Sequence, residues 1–202
     1  MLSKFVGIAG GSCSGKTTIV DTLVETFEGT VSTVAFDSYY RDQSHMALGE
    51  RAQVNYDHPD SLDVELFVSD LRSLRNGETI DTPVYDMSTH TRSSKSRIVA
   101  PSDLVVLDGI LLLAFSEITD LLDLAVFIEA SEDVRFSRRI PRDVQERGRT
   151  AEQSSAQFKN TVQPMHDEYV APSIRHADLV IDGEQSPQRS LSEIMSALYS
   201  SD

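Results

Sequence analysis

Eight consecutive residues restrict this chain more than any other part of it: Gly10-Gly11-Ser12-Cys13-Ser14-Gly15-Lys16-Thr17, which fits G-x-x-x-x-G-K-[ST]. The run follows an apolar stretch at residues 5–9 and leads into a helical pattern over 17–27. A strand, a glycine-rich turn and a helix in that order wrap backbone N–H groups around a polyphosphate and aim the positive end of the helix dipole at it. Lys16 is placed to reach the outer phosphates, and the Thr17 hydroxyl offers an oxygen to Mg²⁺. A nucleoside triphosphate is therefore expected on Gly10, Gly11, Ser12, Cys13, Ser14, Gly15, Lys16, Thr17 and Thr18. A thiol at a helix N-terminus can have a lowered pKa, but the plainer reading of Cys13 is a small residue at a variable position of the loop.

The rest of the chain repeats the strand-then-helix pattern. Residues 31–36, 104–107, 124–128 and 179–181 read as further buried strands, with helical segments after the last three. Residues 62–74 carry apolar side chains at helical spacing and stop at Asn76-Gly77. Such alternation predicts an α/β fold, a parallel sheet with helices on both faces. One stretch departs from it: residues 79–85 and 96–100 are β-prone around a polar loop (Ser88, Thr89, His90, Thr91). It reads as a β-hairpin excursion over 79–100 that serves as an acceptor flap, or as an ordinary surface insertion. With 202 residues the chain is expected to form one domain over 1–202.

Charge and cysteine content narrow the class. A net charge of -14 argues against nucleic-acid or anionic-membrane partners. One cysteine excludes an internal disulfide framework, no run approaches a membrane span, and the first residues lack the long apolar core of a signal peptide, so a cytoplasmic protein is expected. Six of the eighteen basic residues, Arg135, Arg138, Arg139, Arg142, Arg147 and Arg149, fall in one short stretch. That is either a solvated helix face or arginine reserved for an anion.

The reaction class follows from what accompanies the cradle. The N-K-x-D base-reading motif of GTPases is absent. Asp108 ends an apolar run, at the sheet edge where open α/β sheets bind ligands, either to hold Mg²⁺ directly or through water, or as a carboxylate that merely ends the strand. Asp37 follows the second strand and should emerge at the same edge, as a general base toward an acceptor hydroxyl or as a turn carboxylate. A small-molecule kinase needs this set together with a mobile cationic lid, for which 135–157 is the candidate.

Asp37-Ser38-Tyr39-Tyr40-Arg41-Asp42 resembles the uridine kinases (uridine–cytidine kinases). So do Asn55-Tyr56-Asp57-His58-Pro59-Asp60, Pro83-Val84-Tyr85-Asp86, His90-Thr91-Arg92 and Asp108-Gly109-Ile110-Leu111, and further on Arg138-Arg139, Arg142-Asp143, Glu146-Arg147-Gly148-Arg149, Gln157, Val162-Gln163-Pro164-Met165 and Ala177-Asp178. The likeness runs in order over residues 6–183. It implies ATP-dependent, Mg²⁺-assisted phosphorylation of the 5′-hydroxyl of uridine, with cytidine a second acceptor and GTP left open as donor. It further implies Asp37 as general base beside the metal and Asp57 and Arg139 on the ribose. Tyr85 and His90 would read the pyrimidine, with Tyr40 and Gln157 lining the pocket. Arg142, Arg147 and Arg149 would close over the phosphates, and a homo-oligomer, a tetramer in this family, is expected. Apart from the resemblance, Asp57 reads as a turn residue, Tyr85 as a half-buried strand residue and His90 as a solvated loop histidine, while His58 before Pro59 reads as fixing a turn.

Three departures from the family pattern stand out. Asp108 replaces the more usual glutamate, one methylene shorter. Met87 stands where an aromatic often follows the Val-Tyr-Asp run. Pro141 should cost a helix interior ~3 kcal/mol, so the helix from Glu132 is expected either to kink there or to stop near Ile140 and restart. The rival readings are a phosphoribulokinase- or pantothenate-kinase-like enzyme and a non-catalytic nucleotide-binding regulator. A phosphorylated acceptor would call for more basic residues than are dispersed over 41–97, and a regulator would have lost Lys16, Thr17, Asp37 or Asp108.

Overall fold

A computed structural model describes residues 3–51 and 53–200. Its centre is a five-stranded, wholly parallel sheet of β1 (Lys4–Gly10), β2 (Val31–Ala35), β5 (Leu104–Asp108), β6 (Leu124–Glu129) and β7 (Leu179–Asp182), in the order β2-β5-β1-β6-β7. All five strands expected from the apolar runs are present. β1 lies in the middle because it is apolar on both faces; every residue from Phe5 to Gly10 is buried. Alternation splits the core into two layers. Phe5, Val105, Leu107 and Phe127 face α2 (Val64–Arg75), while Val6, Ile8, Val106 and Val126 face α1 (Lys16–Thr26) and the C-terminal helix (Pro187–Tyr199).

The register decides where the chemistry collects. Ile8 and Ala35 both pair with Asp108, so β2 and β5 end level and β1 runs only two residues further, to Gly10. The loop after β1, Asp37 two residues beyond β2, and Asp108 at the end of β5 therefore share the carboxyl edge of the sheet. The chain reverses its order here, β5 and β6 lying on opposite sides of β1, and such a switch point opens a crevice.

Four boundaries differ from the sequence reading. Phe36 begins a 3₁₀ turn, Phe36–Tyr39, rather than ending β2. Leu62 precedes its helix, because Asp63 caps α2 by accepting the N–H of Leu66 and Leu62 bridges to Tyr40. The hairpin falls where expected, but its second strand is longer: β3 (Ile80–Asp86) pairs with β4 (Thr91–Val99), whose polar first half carries no apolar signal. Finally, α3 (Glu132–Glu146) runs unbroken through Pro141, so the stop near Ile140 does not occur. Pro141 is on the exposed side, where water can serve the carbonyl it strips of a partner. The opposite face buries Arg135, Arg139 and Asp143, each four residues apart, and this anchorage holds the helix through the defect. The stretch 135–157 thus consists of α3, a turn through Gly148 (φ 63°) and α4 (Ala151–Gln157), which a Thr150–Gln153 capping box starts.

Candidate active site

The cradle forms as its residue types require. Gly10 (φ 141°) and Gly15 (φ 110°) take backbone conformations that side chains resist, and a Cβ on Gly10 would lie 2.3 Å from the carbonyl oxygen of Ile128. Helix α1 begins at Gly15 with neither a side-chain cap nor an acidic residue in its first turn, so its free N–H groups remain available to an anion. Lys16 Nζ donates to the carbonyls of Gly10 and Gly11, 3.0 Å each, and so lies folded along the loop.

Two cavities meet at this edge. The first, about 540 Å³, is lined by Ser12, Cys13, Gly15, Lys16, Thr17, Thr18, Asp37, Asp108, Arg138, Arg142 and Arg147, among others. The second, about 370 Å³, is lined by Tyr40, Tyr56, Asp57, Met87, Ser88, His90, Arg139, Glu146, Arg149 and Gln157, among others. Ser12, Asp37, Ile110 and Arg147 line both, so Asp37 stands at the junction. Burial raises the Asp37 pKa above its ordinary value, against the pull of Lys16, Arg147 and Arg142. Asp57 is likewise raised by burial, with Arg139 opposing.

Aromatic rings wall the second cavity. Tyr40 packs on Tyr56 (5.4 Å between centroids) and on Tyr85 (5.2 Å), and His90 stacks on Tyr56 at 4.6 Å and 9°. His90 reaches this position through a left-handed backbone (φ 54°); burial, then the charge of Arg149, lowers its pKa and favours the neutral ring. Sequence reasoning missed Tyr56, and likewise Arg92, which latches the hairpin to the cavity wall. Arg92 Nε donates to the Tyr40 carbonyl (2.8 Å), and Nη2 to the Tyr39 carbonyl (3.1 Å) and Asp63 (3.1 Å).

The expected site residues thus gather at one edge, with two exceptions. Tyr85 does not line the second cavity; it stands behind Tyr40 and Tyr56, its hydroxyl buried and without a hydrogen-bond partner among the described residues. The register slips between Pro83 and Tyr85, where β4 carries two extra residues opposite β3, an irregularity that no sequence pattern revealed. Arg149, expected over the phosphates, lines the second cavity instead, because Asp143 holds it there. His58 fixes a turn as expected: its Nδ1 accepts the N–H of Asp60 at 3.2 Å, while Nε2 meets the Tyr169 hydroxyl at 3.0 Å.

Arg139 ties the cavities together, donating to Ser12 Oγ in the cradle and to Gln157 Oε1, 2.9 Å each. The donor set also suits Mg²⁺. Asp108 Oδ1 is buried without a hydrogen-bond partner among the described residues, and Thr17 lines the same cavity. One or two protein oxygens, the remainder coming from water and phosphate, is the usual arrangement for this ion. Among the described residues no cluster of three or more His, Cys, Asp or Glu forms a cage for a metal, and no helix is long and apolar enough to cross a membrane.

Residues 5–190 match the phosphoribulokinase / uridine kinase family. The uridine kinase of Staphylococcus epidermidis is 42% identical over 180 residues, 89% of this chain and 87% of the relative. That of Leuconostoc citreum is 44% identical over 179 residues, 87% and 85% of the two chains. The structure of phosphoribulokinase from Rhodobacter spheroides superimposes with a TM-score of 0.65 at 15% identity, over 92% of this chain and 74% of that one, a likeness of fold alone.

Proposed function

Since the chain belongs to the phosphoribulokinase / uridine kinase family, we propose that it transfers the γ-phosphoryl group of ATP to the 5′-hydroxyl of uridine, and of cytidine as a second acceptor. The observation that carries this reading is the position of Asp37 at the junction of a phosphate cradle and an aromatic-walled cavity. The nucleoside occupies the second cavity, with its base against the Tyr40, Tyr56 and His90 wall and near Gln157, and its ribose hydroxyls on Asp57 and Arg139.

Asp37 takes the proton of the 5′-hydroxyl as that oxygen bonds to the γ-phosphorus. The bond from that phosphorus to the β-γ bridging oxygen breaks, and ADP leaves. The chain supplies positioning and charge: backbone N–H groups of the cradle, Lys16, Arg142 and Arg147 neutralise the transferring group. Thr17 and Asp108 would hold Mg²⁺, which would supply further charge neutralisation at the phosphate oxygens. The raised pKa of Asp37 suits a base, since a carboxyl of ordinary acidity accepts a proton poorly at neutral pH.

A phosphorylated acceptor fits the second cavity less well. Its arginines are offset by Asp57, Glu146 and the buried Asp143, so an added phosphate would meet carboxylates. The test is ADP release from Mg-ATP with uridine, cytidine, adenosine, ribulose 5-phosphate or pantothenate, each alone. Turnover with uridine that Lys16→Ala abolishes is the expected result. Turnover with a non-nucleoside alone would overturn the acceptor assignment, and none with any acceptor despite tight Mg-ATP binding would favour a regulator.

A further inference from the structure

Four of the five arginines that line the two cavities, all but Arg138, converge on one carboxylate, Asp143, whose side chain is fully buried. Oδ1 accepts from Arg142 Nε (3.2 Å) and Nη2 (2.9 Å), and Arg147 Nε lies 3.7 Å from it. Oδ2 accepts from Arg149 Nη1 (3.0 Å) and from the Ser154 hydroxyl (3.0 Å), with Arg139 Nε at 3.2 Å. Burial pushes the Asp143 pKa up, but the hydrogen bond from Arg142 and the charges of Arg139, Arg142 and Arg147 outweigh it and hold the group at about 2, ionised throughout the working range.

This convergence spans both halves of the site. Arg142 lines the phosphate cavity, Arg139 and Arg149 line the acceptor cavity, and Arg147 lines both. Four guanidinium groups drawn this close would repel one another without a shared counter-charge. Each guanidinium has five N–H donors, so contact with Asp143 leaves others for the site: Arg139 uses them on Ser12 and Gln157, while Arg142, Arg147 and Arg149 keep donors that can face a ligand. We propose that Asp143 is a positioning residue for phosphoryl transfer: one buried carboxylate sets the orientation of the arginines on the donor and the acceptor together. The proposal rests on the kinase reading given above. Asp143 touches neither substrate and acts only through the arginines. Its backbone carbonyl also accepts the N–H groups of Arg147 and Arg149, a contact that any side-chain substitution leaves in place.

The test compares Asp143→Asn with Ser154→Ala. The first removes the charge at nearly constant shape; the second removes only the hydroxyl that ties α4 to Asp143. Thermal midpoint, kcat with uridine, and the separate affinities for Mg-ADP and for uridine are measured for each protein. Asp143→Asn should lower kcat by about 10²-fold, the usual effect of misplacing reacting groups by about 1 Å, and should weaken both affinities. Ser154→Ala should lower the midpoint yet leave kcat and both affinities within about twofold. A folded Asp143→Asn protein with kcat and both affinities within about threefold of wild type overturns the proposal. So does a Ser154→Ala protein that loses activity in step with Asp143→Asn, since loss of packing would then explain both. Should Asp143→Asn not fold, Asp143→Glu, which keeps the charge but displaces both oxygens, takes its place: a comparable fall in kcat supports the proposal, and an unchanged kcat, or failure of both variants to fold, refutes it. If wild type fails to turn over uridine, the kinase reading falls on its own, while Mg-ADP affinity still decides the role of Asp143.

Discussion

Replacing Asp108 by Asn tests the electrostatics of the phosphate cavity directly. The carboxyl ends β5 with Oδ1 sealed from solvent, and burial raises its pKa from 3.8 to about 6, Lys16 opposing and Asp37 adding to the rise. Between those values the folded protein binds more protons than the unfolded chain. The stability from this group is therefore fully present below about pH 3.8 and is lost as pH rises through about 6. About two pH units at about 1.4 kcal/mol each come to about 3 kcal/mol forgone at neutral pH. That figure is an upper bound, because the residue is only half-buried and solvent screens part of the field. Asp108→Asn removes the penalty. Without nucleotide, the variant should be more stable than wild type by up to about 3 kcal/mol at about pH 7.5, or about 6–12 °C in Tm for a chain of this size. The gap should close near pH 4. Asp57, whose pKa is also raised, is common to both proteins, while Asp37 is relieved of the Asp108 charge in the variant, so the gap reports Asp108 together with its repulsion of Asp37. Thermal scans of both proteins between about pH 4 and about pH 8 provide the assay. A variant no more stable than wild type at neutral pH, or a gap that does not vary with pH, would refute the reasoning.

Asp37→Asn should lower kcat with uridine by ~10²–10⁴, the usual worth of a general base, with little change in Mg-ATP affinity; steady-state kinetics giving less than a threefold loss would remove Asp37 from that role. Tyr85→Phe deletes a buried, unpartnered hydroxyl, so uridine KM should stay within about twofold and stability should hold or rise by about 1 kcal/mol. A tenfold rise in KM would instead place Tyr85 on the base. Gly10→Ala forces a methyl against the Ile128 carbonyl at a positive φ, and calorimetry should find Mg-ATP binding lost together with a Tm lowered by strain of about 1–3 kcal/mol.

The elements that the sequence revealed are those whose signals are local. Apolar runs of strand length mark all five strands of the sheet, because a strand buried on both faces needs no partner to declare itself. The cradle is written in contiguous residues, since its chemistry depends on the backbone of one loop. Asp37 and Asp108 were legible as strand-end carboxylates, and the ordered likeness to uridine kinases gathered Tyr40, Asp57, His90, Arg139 and Gln157 around them. Side-chain direction and long-range charge pairing were not legible. Tyr85 stands behind Tyr40 and Tyr56 rather than in the cavity lining, and Arg149 joins the acceptor side because a carboxylate six residues earlier captures it. Pro141 stays within its helix because Arg135, Arg139 and Asp143 anchor the opposite face, an outcome that propensity alone opposes. By itself the sequence determined the parallel α/β sheet, the phosphate cradle and the family, all of which follow from local pattern and ordered motifs. Tertiary structure alone decided which arginines serve which cavity and how the hairpin closes on Tyr39 and Tyr40 through Arg92, because these depend on charges far apart in the chain meeting where water is excluded.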